Sequence, residues 1–308
     1  MEALPMVKPR SIEEALRYLR EQAGEGVVFA GGTDLMPDLR KGRKKAALLV
    51  DVRSIPELMR IEISETQVVI GAGVTFFEIA SHPFIQERVP ALAEAARSVG
   101  AWPLQTMATW GGNLVQAMPA ADGAIIALAL EAQARLVNLT GEVWKEVSEL
   151  FRGPGKSAID PSAEFITALR FPLPQGQWGT AWQRLGRRPA LTLPILNCAV
   201  KLEMDAEQVG KAVIALGPVA PTPYRCRQAE GFLVGKFLDG EIMQEAAEIA
   251  RGESQPRGNV LRASAEYRKA VIPVLVRRAL HQAWERAVLS KDKRNYPFTN
   301  HEEKENYP

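Results

Sequence analysis

Apolar positions follow helical spacing near the start of the chain and form strand-like runs soon after it. Ser11 followed by Glu14 matches a capping box, and residues 12–22 behind it carry apolar side chains at helical spacing. The apolar runs at 26–30 and 47–52 are typical of buried strands. The pattern therefore predicts one amphipathic helix followed by two strands.

The middle of the chain continues to mix the two kinds of element. Residues 66–75 predict a strand that enters a glycine-containing bend, and Ser54 with Glu57 predicts a short helix before it. Residues 76–82 and 90–100 predict two helices, and a long apolar helix is predicted at 123–132.

A different pattern begins after a cluster of Pro, Gly and Gln at 172–179, which we interpret as a domain boundary. Three strand-like runs follow, and two predicted helices end the patterned part of the chain. The runs lie at 180–186, 193–205 and 210–220, and the helices at 241–253 and 265–288. The final stretch is polar and aperiodic, which predicts a disordered tail.

Composition and charge are those of an ordinary globular protein. The 308 residues include 38 Lys and Arg against 36 Asp and Glu, a formal net charge of +2. This balance argues against a nucleic-acid-binding protein, which usually carries a strongly basic face. The basic run at residues 40–45 is interpreted as a solvated loop in preference to a docking patch.

The cysteine and histidine content and the hydropathy of the chain argue against a disulfide-rich, a metal-binding or a membrane-spanning protein. Two cysteines, Cys198 and Cys226, cannot form a disulfide scaffold or a four-thiolate site, and the three histidines are scattered, so we expect no protein-bound metal. The start has no apolar signal region, and the most apolar segment, 123–132, is half the length of a membrane span. We expect a soluble, cytoplasmic protein.

The most informative local feature is a glycine pair that occurs twice. Gly31-Gly32 precedes Thr33 and Asp34, and Gly111-Gly112 precedes Asn113. Unpaired amides at such turns form a concave anion site, and glycine lets the anion approach closely. Two facing loops could hold a diphosphate; two unrelated strand-end turns explain the pattern equally well. The full motifs of a Rossmann fold or a phosphate-binding P-loop are absent from the sequence.

Five segments in order resemble the flavin-binding subunits of the molybdenum hydroxylases, such as the medium subunit of carbon monoxide dehydrogenase and the flavin domain of xanthine dehydrogenase. The resemblance extends from about residue 5 to about residue 287. The segments are 29–42 (FAGGTDLMPDLRKG), 109–122 (TWGGNLVQAMPAAD), 150–159 (LFRGPGKSAI), 187–200 (RRPALTLPILNCAV) and 213–236 (VIALGPVAPTPYRCRQAEGFLVGK).

The resemblance implies an α+β fold. It comprises a two-lobed FAD-binding domain of the vanillyl-alcohol-oxidase type over 1–174, with lobes of about 1–55 and 56–174. A smaller α+β domain of three antiparallel strands and helices covers 175–288, and the polar tail covers 289–308.

The resemblance also implies FAD as the cofactor, with its diphosphate between the two glycine loops. Asp122 matches an acid that contacts FAD; it also stands where it could cap the predicted helix at 123–132. Ile166 matches a backbone contact to the flavin ring, and Arg184 a lysine near that ring. The remaining residues implied to bind FAD are Val28, Phe29, Ala30, Gly31, Gly32, Thr33, Asp34, Leu35, Thr109, Trp110, Gly111, Gly112 and Asn113.

The chain departs from the family pattern just before the second loop. The usual arginine is Gln105, the asparagine is Thr106, the glycine is Ala108, and the usual isoleucine is Trp110. We expect the bulky indole beside this loop to alter or shield the flavin pocket.

The resemblance implies an electron-transfer subunit and an oxidoreductase. Its partners would be a large molybdopterin subunit and a small 2Fe-2S subunit, in a dimer of heterotrimers, and its acceptor NAD⁺, a quinone or oxygen. The sequence itself contains no candidate nucleophile or general base, which fits a protein whose chemistry belongs to its cofactor. Two alternatives stay open: a self-sufficient FAD-dependent reductase or oxidase of the same superfold, and a flavin-free assembly scaffold.

Overall fold

The chain begins with a small parallel sheet. A computed structural model describes residues 4–259 and 262–289. Its first strands, in the spatial order β1-β3-β2, are β1 (Met6–Val7), β2 (Gly26–Phe29) and β3 (Leu48–Asp51). Two helices connect them, α1 (Ile12–Glu21) and α2 (Leu35–Arg40).

Half of the capping box predicted at the first helix is present. The amide of Glu14 donates to Ser11 Oγ at 3.2 Å, while the Glu14 carboxylate accepts from the amide of Arg10 at 2.7 Å. The first bond satisfies a donor that a helix start leaves free. The second bond reaches Arg10, one residue before the N-cap, instead of the Ser11 amide that a full capping box requires. The helix then buries Ala15, Leu16 and Leu19 in a core shared with β3. The predicted helix and both strands are confirmed.

The second sheet is antiparallel and has five strands. Its members are β4 (Ile61–Ile63), β5 (Gln67–Gly71), β6 (Gln133–Asn138), β7 (Gly141–Glu146) and β10 (Phe165–Pro172), in the spatial order β4-β5-β10-β6-β7. A separate hairpin pairs β8 (Phe151–Gly153) with β9 (Lys156–Ser157). The central strand, β10, thus joins β5 to β6, which are far apart in sequence.

Six short helices cover this sheet between β5 and β6. They are α3 (Phe76–Ser81), α4 (Pro83–Arg88), α5 (Pro90–Ser98), α6 (Trp102–Gln105), α7 (Trp110–Val115) and α8 (Asp122–Ala129). All eight residues of α8 are buried, which explains its apolar sequence. The helix predicted after Ser54 is instead a pair of short 3-10 turns at 52–54 and 56–59.

The last part of the chain folds as a second antiparallel layer. Three long strands and one short strand lie in chain order, namely β11 (Gln177–Leu185), β12 (Leu196–Asp205), β13 (Gln208–Gly217) and β14 (Tyr224–Arg225). The helices that follow are α9 (Arg227–Leu233), α10 (Gly240–Glu253) and α11 (Ala265–Leu289). One β11 position, Gly179, lies so close to α11 that a Cβ there would be 2.0 Å from the Ala283 carbonyl oxygen.

The predicted α+β fold is confirmed, and the three predicted strands are present with β14 added. The predicted boundaries at 55, 174 and 288 stay predictions. The predicted tail lies outside the described residues, apart from Leu289 at the end of α11. Within 4–259 and 262–289, none of the helices has the length and hydropathy needed to cross a membrane. The cytoplasmic location stays a prediction.

Candidate functional site

A cleft of about 960 Å³ brings both glycine pairs together. We call it the main cleft; it is bounded by the first glycine loop (31–34), the start of α7, and β11 with the segment after it. Of the sixteen residues predicted to bind the cofactor, fourteen line it: Val28, Ala30, Gly31, Gly32, Thr33, Asp34, Leu35, Thr109, Gly111, Gly112, Asn113, Asp122, Ile166 and Arg184. Phe29 and Trp110 do not.

The first glycine loop presents a row of unpaired amides to the cleft. Within the described residues, the backbone N–H groups of 31–34 make no hydrogen bond. Gly32 has φ +66°, a left-handed conformation that favours glycine. Phe29 lies beneath it, since a Cβ on Gly32 would be 2.4 Å from the Phe29 ring. The loop can therefore receive an anion on several amides at once.

The adjacent glycine, Gly31, allows the two loops to meet. A Cβ at this position would lie 1.9 Å from the carbonyl oxygen of Met107, two residues before the second loop. A side chain there would force the first loop away from the segment that leads into α7. Gly31 is therefore required by protein packing, a role distinct from admitting an anion.

The second loop is the first turn of α7. Thr109 is its N-cap, and the Thr109 hydroxyl accepts from the amide of Gly112 at 3.1 Å. Gly111 packs against Ala72, whose Cβ would be 2.8 Å from an added Cβ, and its amide has no acceptor within the described residues. An added Cβ on Gly112 would meet only the Thr109 hydroxyl, at 3.0 Å. Of this pair, Gly112 is the one with open space beside it.

Trp110 does not face the cleft. Its side chain is fully buried, its Nε1 donates to the Gly123 carbonyl at 2.8 Å, and its ring packs edge-on against Phe171. The expectation that the indole would alter or shield the flavin pocket is therefore wrong. On the first turn of α7 the Trp110 side chain points into the core, and only its backbone is near the cleft.

Gln105, which replaces the usual arginine, is buried and has a local role. Its side-chain amide donates to the carbonyls of Arg97, at 2.8 Å, and Val99, at 3.0 Å, where α5 ends. These bonds satisfy carbonyls that a helix end leaves free. The substitution thus acts on the packing of α5 and α6, away from the cofactor residues.

At the opposite wall, Asp122 and Arg184 form a buried ion pair. Asp122 Oδ1 accepts from Arg184 Nε at 3.3 Å and from Asn197 Nδ2 at 2.7 Å. Burial raises the pKa of Asp122 to about 6, although Arg184 and Asn197 both act to lower it. The helix-cap role is wrong: Asp122 is the first residue of α8, Ala121 occupies the cap position, and no side chain caps the helix.

Sequence reasoning missed the segment after β11, residues 187–194. Arg184 Nη2 donates to the Thr192 carbonyl at 2.5 Å, and the amide of Leu191 donates to the Gly100 carbonyl at 2.9 Å. These bonds hold the segment across the main cleft, where Leu191, Leu193 and their neighbours form part of the wall. The pattern "RRPALTLP" gives no periodic signal from which this position could be predicted.

Two further groups at the cleft also lacked a sequence signal. Lys44 and Lys45, from the basic run interpreted as a solvated loop, are exposed and stand at the cleft edge. Residues 159–162, in the turn before β10, line the same cleft. The tertiary structure brings both groups to the cleft, and no local sequence pattern indicates it.

The residues of the main cleft fit FAD, the cofactor that the resemblance implies. Unpaired amides from both loops line the space where a diphosphate could be held, and glycine at 112 leaves room for it. Asn113 Oδ1, which is buried without a hydrogen-bond partner, leaves a further polar atom to satisfy beside this loop.

Comparisons with known proteins agree with this geometry. Residues 2–174 match the family described as "FAD binding domain in molybdopterin dehydrogenase", and residues 181–283 match "CO dehydrogenase flavoprotein C-terminal domain". The carbon monoxide dehydrogenase medium chain of Hydrogenophaga pseudoflava is 30% identical over 278 residues, covering 90% of this chain and 96% of that protein. The xanthine dehydrogenase FAD-binding subunit of Escherichia coli O157:H7 is 26% identical over 275 residues, covering 89% and 93%.

Solved structures show the same arrangement of the chain. A carbon monoxide dehydrogenase from Hydrogenophaga pseudoflava superposes with a TM-score of 0.86 at 30% identity, covering 92% of this chain and 98% of that one. Quinoline 2-oxidoreductase from Pseudomonas putida 86 gives a TM-score of 0.85 at 25% identity, with the same coverage.

Proposed function

Because the chain belongs to the family of FAD-binding domains in molybdopterin dehydrogenases, we propose that it is the FAD-binding, electron-transferring subunit of a molybdenum hydroxylase complex. The observation that carries the proposal is the main cleft, in which unpaired amides of two glycine loops face one space. A protein that only scaffolds partners has no need of this arrangement.

FAD, when bound, supplies the redox chemistry, taking electrons from a donor and releasing them to an acceptor. The chain's own groups bind and orient it. The amides of 31–34 and of Gly111 hold the diphosphate without a cationic side chain, because oriented amides already present partial positive charge. Thr33, with no bond within the described residues, is free to contact the ribityl or ribose groups.

The wall formed by Asp122, Arg184 and Asn197 sets the polarity at the other end of the cleft. The Arg184 guanidinium and the Asp122 carboxylate lie 3.3 Å apart and balance each other's charge. A neutral flavin ring placed there would meet a fixed dipole instead of a net charge. The segment 187–194, fixed to Arg184 and Gly100, covers this end and limits the access of water.

The relatives support the choice of partners. Two relatives are named as the medium chain of carbon monoxide dehydrogenase and an FAD-binding subunit of xanthine dehydrogenase. By analogy we assign this chain a large molybdopterin partner and a small 2Fe-2S partner, in a dimer of heterotrimers. Electrons would enter from the iron–sulfur partner and leave to an external acceptor.

Affinity purification of the tagged chain from its own cells, with an absorbance spectrum and cofactor analysis, tests the proposal. We expect one FAD per chain and two co-purifying proteins, one with molybdopterin and one with iron and sulfide. FAD without partners would instead support the self-sufficient reductase or oxidase. Partners without flavin would support the scaffold.

A further inference from the structure

Phe29, at the end of β2, is buried but belongs to none of the apolar cores of the described residues. Its ring lies instead under the first glycine loop. A Cβ on Gly32 would be 2.4 Å from Phe29 Cε2 and 2.7 Å from Phe29 Cζ, so the edge of the ring stands against the Gly32 backbone. Phe29 is one of the residues predicted to bind FAD, yet it does not line the main cleft.

The Arg53 guanidinium covers the Phe29 ring. Its central carbon lies over the ring, 5.0 Å from the ring centre, in a cation–π contact. Two hydrogen bonds fix the guanidinium, because Nε donates to Asp51 Oδ1 at 2.9 Å and Nη2 donates to Asp51 Oδ2 at 2.8 Å. Asp51 is only 2% exposed and pairs with Phe29 between β3 and β2. Ring, guanidinium and carboxylate therefore form one connected unit at the ends of these two strands.

The first glycine loop has reason to need a support before an anion binds. The amides of residues 31–34 carry partial positive charge and have no acceptor within the described residues, so they repel one another. Gly32, which has no side chain, adds backbone freedom that must be lost when a ligand binds. A ring that already lies against Gly32 removes part of this freedom in advance, and such preorganisation favours binding.

We propose that Phe29 and Arg53 are positioning residues for the cofactor. Phe29 holds the first glycine loop in the conformation that receives the diphosphate, and Arg53, anchored by Asp51, holds Phe29. Arg53 does not line the main cleft and its charge is balanced by Asp51, so this role is compatible with a diphosphate held by amides alone. The identity of the anion rests on the proposed function, whereas the support of the loop does not.

Two measurements on the purified, flavin-stripped chain test the proposal. Flavin fluorescence during a titration with FAD gives the affinity for the cofactor. Hydrogen exchange without flavin reports on the loop itself, through the Met36 amide, which donates to the Gly32 carbonyl at 3.0 Å. Urea unfolding gives the stability of each variant, so that a loss of affinity can be compared with a loss of stability.

The variants separate the ring from the guanidinium that covers it. They are Phe29→Leu, Arg53→Gln, Arg53→Lys and the double variant of Phe29→Leu with Arg53→Gln. Phe232→Leu is the matched control, because Lys236 lies over the Phe232 ring at 5.3 Å and neither residue lines the main cleft.

We expect Phe29→Leu to weaken FAD binding by about tenfold, the order of magnitude for ordering one backbone residue on binding, and to speed exchange of the Met36 amide. Arg53→Gln should weaken binding by a smaller factor, with partial rescue in Arg53→Lys, which keeps a cation but loses the fork to the carboxylate. The double variant should bind FAD no more weakly than Phe29→Leu, because Arg53 acts through the ring. Phe232→Leu should lower stability without changing FAD affinity or Met36 exchange.

Wild-type FAD affinity and wild-type exchange in folded Phe29→Leu would overturn the proposal. An equal loss of FAD affinity in Phe232→Leu would also overturn it, because the effect would then follow general stability. If Phe29→Leu does not fold, Arg53→Gln, at a side chain that is 42% exposed, decides by the same two measurements. A wild-type chain that binds no FAD contradicts the proposed function alone, because the exchange measurement still tests the support without flavin.

Discussion

At the scale of single residues, the four glycines of the two loops divide into two roles. Gly31 and Gly111 are pressed against other parts of the protein, whereas Gly112 borders open space and Gly32 adopts a left-handed conformation. Because all four residues are glycine, the sequence suggests a single role for them, the close approach of an anion. The structure assigns that purpose most clearly to Gly112.

Gly112→Val should therefore weaken FAD binding while leaving the fold intact. The added side chain would occupy the space in which a phosphate meets the amides of the α7 turn. We expect an affinity loss of at least about tenfold, equivalent to about 1.4 kcal/mol, measured by flavin fluorescence. Far-ultraviolet circular dichroism is the control. A folded variant with normal FAD affinity would contradict the diphosphate assignment.

Asp122 should make stability depend on pH in an unusual direction. Its folded pKa of about 6 lies above the ordinary 3.8, so the folded chain binds the proton more tightly than the unfolded chain does. The stabilisation is complete below pH 3.8 and is lost as the pH rises through 6. Relative to Asp122→Asn, we expect the flavin-stripped wild type to lose about 1 kcal/mol of unfolding free energy between pH 5 and 7.5.

Urea unfolding of both proteins at the two pH values measures this difference. An equal change in wild type and Asp122→Asn would show that Asp122 does not titrate in this range. Of this wall, sequence comparison could propose Asp122 and Arg184 separately. It could not predict their pairing, because no spacing rule brings α8 against β11 across a separation of 62 positions.

At the scale of elements, the approach of the first loop to the segment before α7 determines the geometry of the cleft. Gly31→Ala should open this junction, because its Cβ would lie 1.9 Å from a backbone oxygen that cannot move without displacing the α6–α7 connection. We expect a loss of about 1–3 kcal/mol in unfolding free energy, the range for overpacked sites. Chemical denaturation measures it, and Gly42→Ala, at an exposed loop position with open space, is the matched control for a lost glycine.

Gly42 also has positive φ, so its own strain sets a baseline that Gly31→Ala must exceed. A Gly31→Ala protein no less stable than Gly42→Ala would show that the junction relaxes without cost.

Elements with a strong local signal were predicted well. The Ser11 cap of α1 and the apolar runs of β2 and β3 depend on neighbours in sequence. The hairpin of β6 and β7 was missed, because β7 is largely exposed and lacks a hydrophobic face. The 187–194 segment was missed for another reason: its place depends on hydrogen bonds to Gly100, from a distant part of the chain.

At the scale of the whole molecule, a charged cluster joins the C-terminal layer to the end of α8. Lys201, only 1% exposed, contacts Glu131 at 2.7 Å and Glu203 at 3.1 Å. Glu131 also contacts Lys211 and Arg225, from β13 and β14. Burial opposes ionisation of Glu131, but Lys201 and Lys211 outweigh it and lower its pKa to about 2.

Glu131→Gln should destabilise the protein by roughly 3 kcal/mol, because the buried Lys201 ammonium then keeps only Glu203, the more distant of its two carboxylate partners. The stabilisation from Glu131 is present above its ordinary pKa of 4.5 and is lost as the pH falls toward 2, so the difference between wild type and variant should shrink in acid. Glu142→Gln, at an exposed pair with Arg135, is the control and should cost less than about 1 kcal/mol. Equal effects of the two variants would show that the cluster is not stabilising.

The isolated chain should contain no iron. Its two cysteines are both buried, and the described residues hold no group of three or more His, Cys, Asp or Glu side chains able to bind a metal. A four-iron cluster normally takes four thiolates. Iron and acid-labile sulfide analysis of the purified single subunit should find neither at stoichiometric level, and finding both would refute this prediction.

The central place of β10 has a consequence for the order of events during synthesis. Before residues 165–172 emerge from the ribosome, β4–β5 and β6–β7 can exist only as two separate hairpins, and a lone hairpin in water is marginally stable at best. The glycine loops are made early, but the sheet behind them closes only when its middle strand arrives. Arg184 and the 187–194 segment emerge later still. We therefore expect the nascent chain to bind FAD late, only after about two thirds of its residues have been translated.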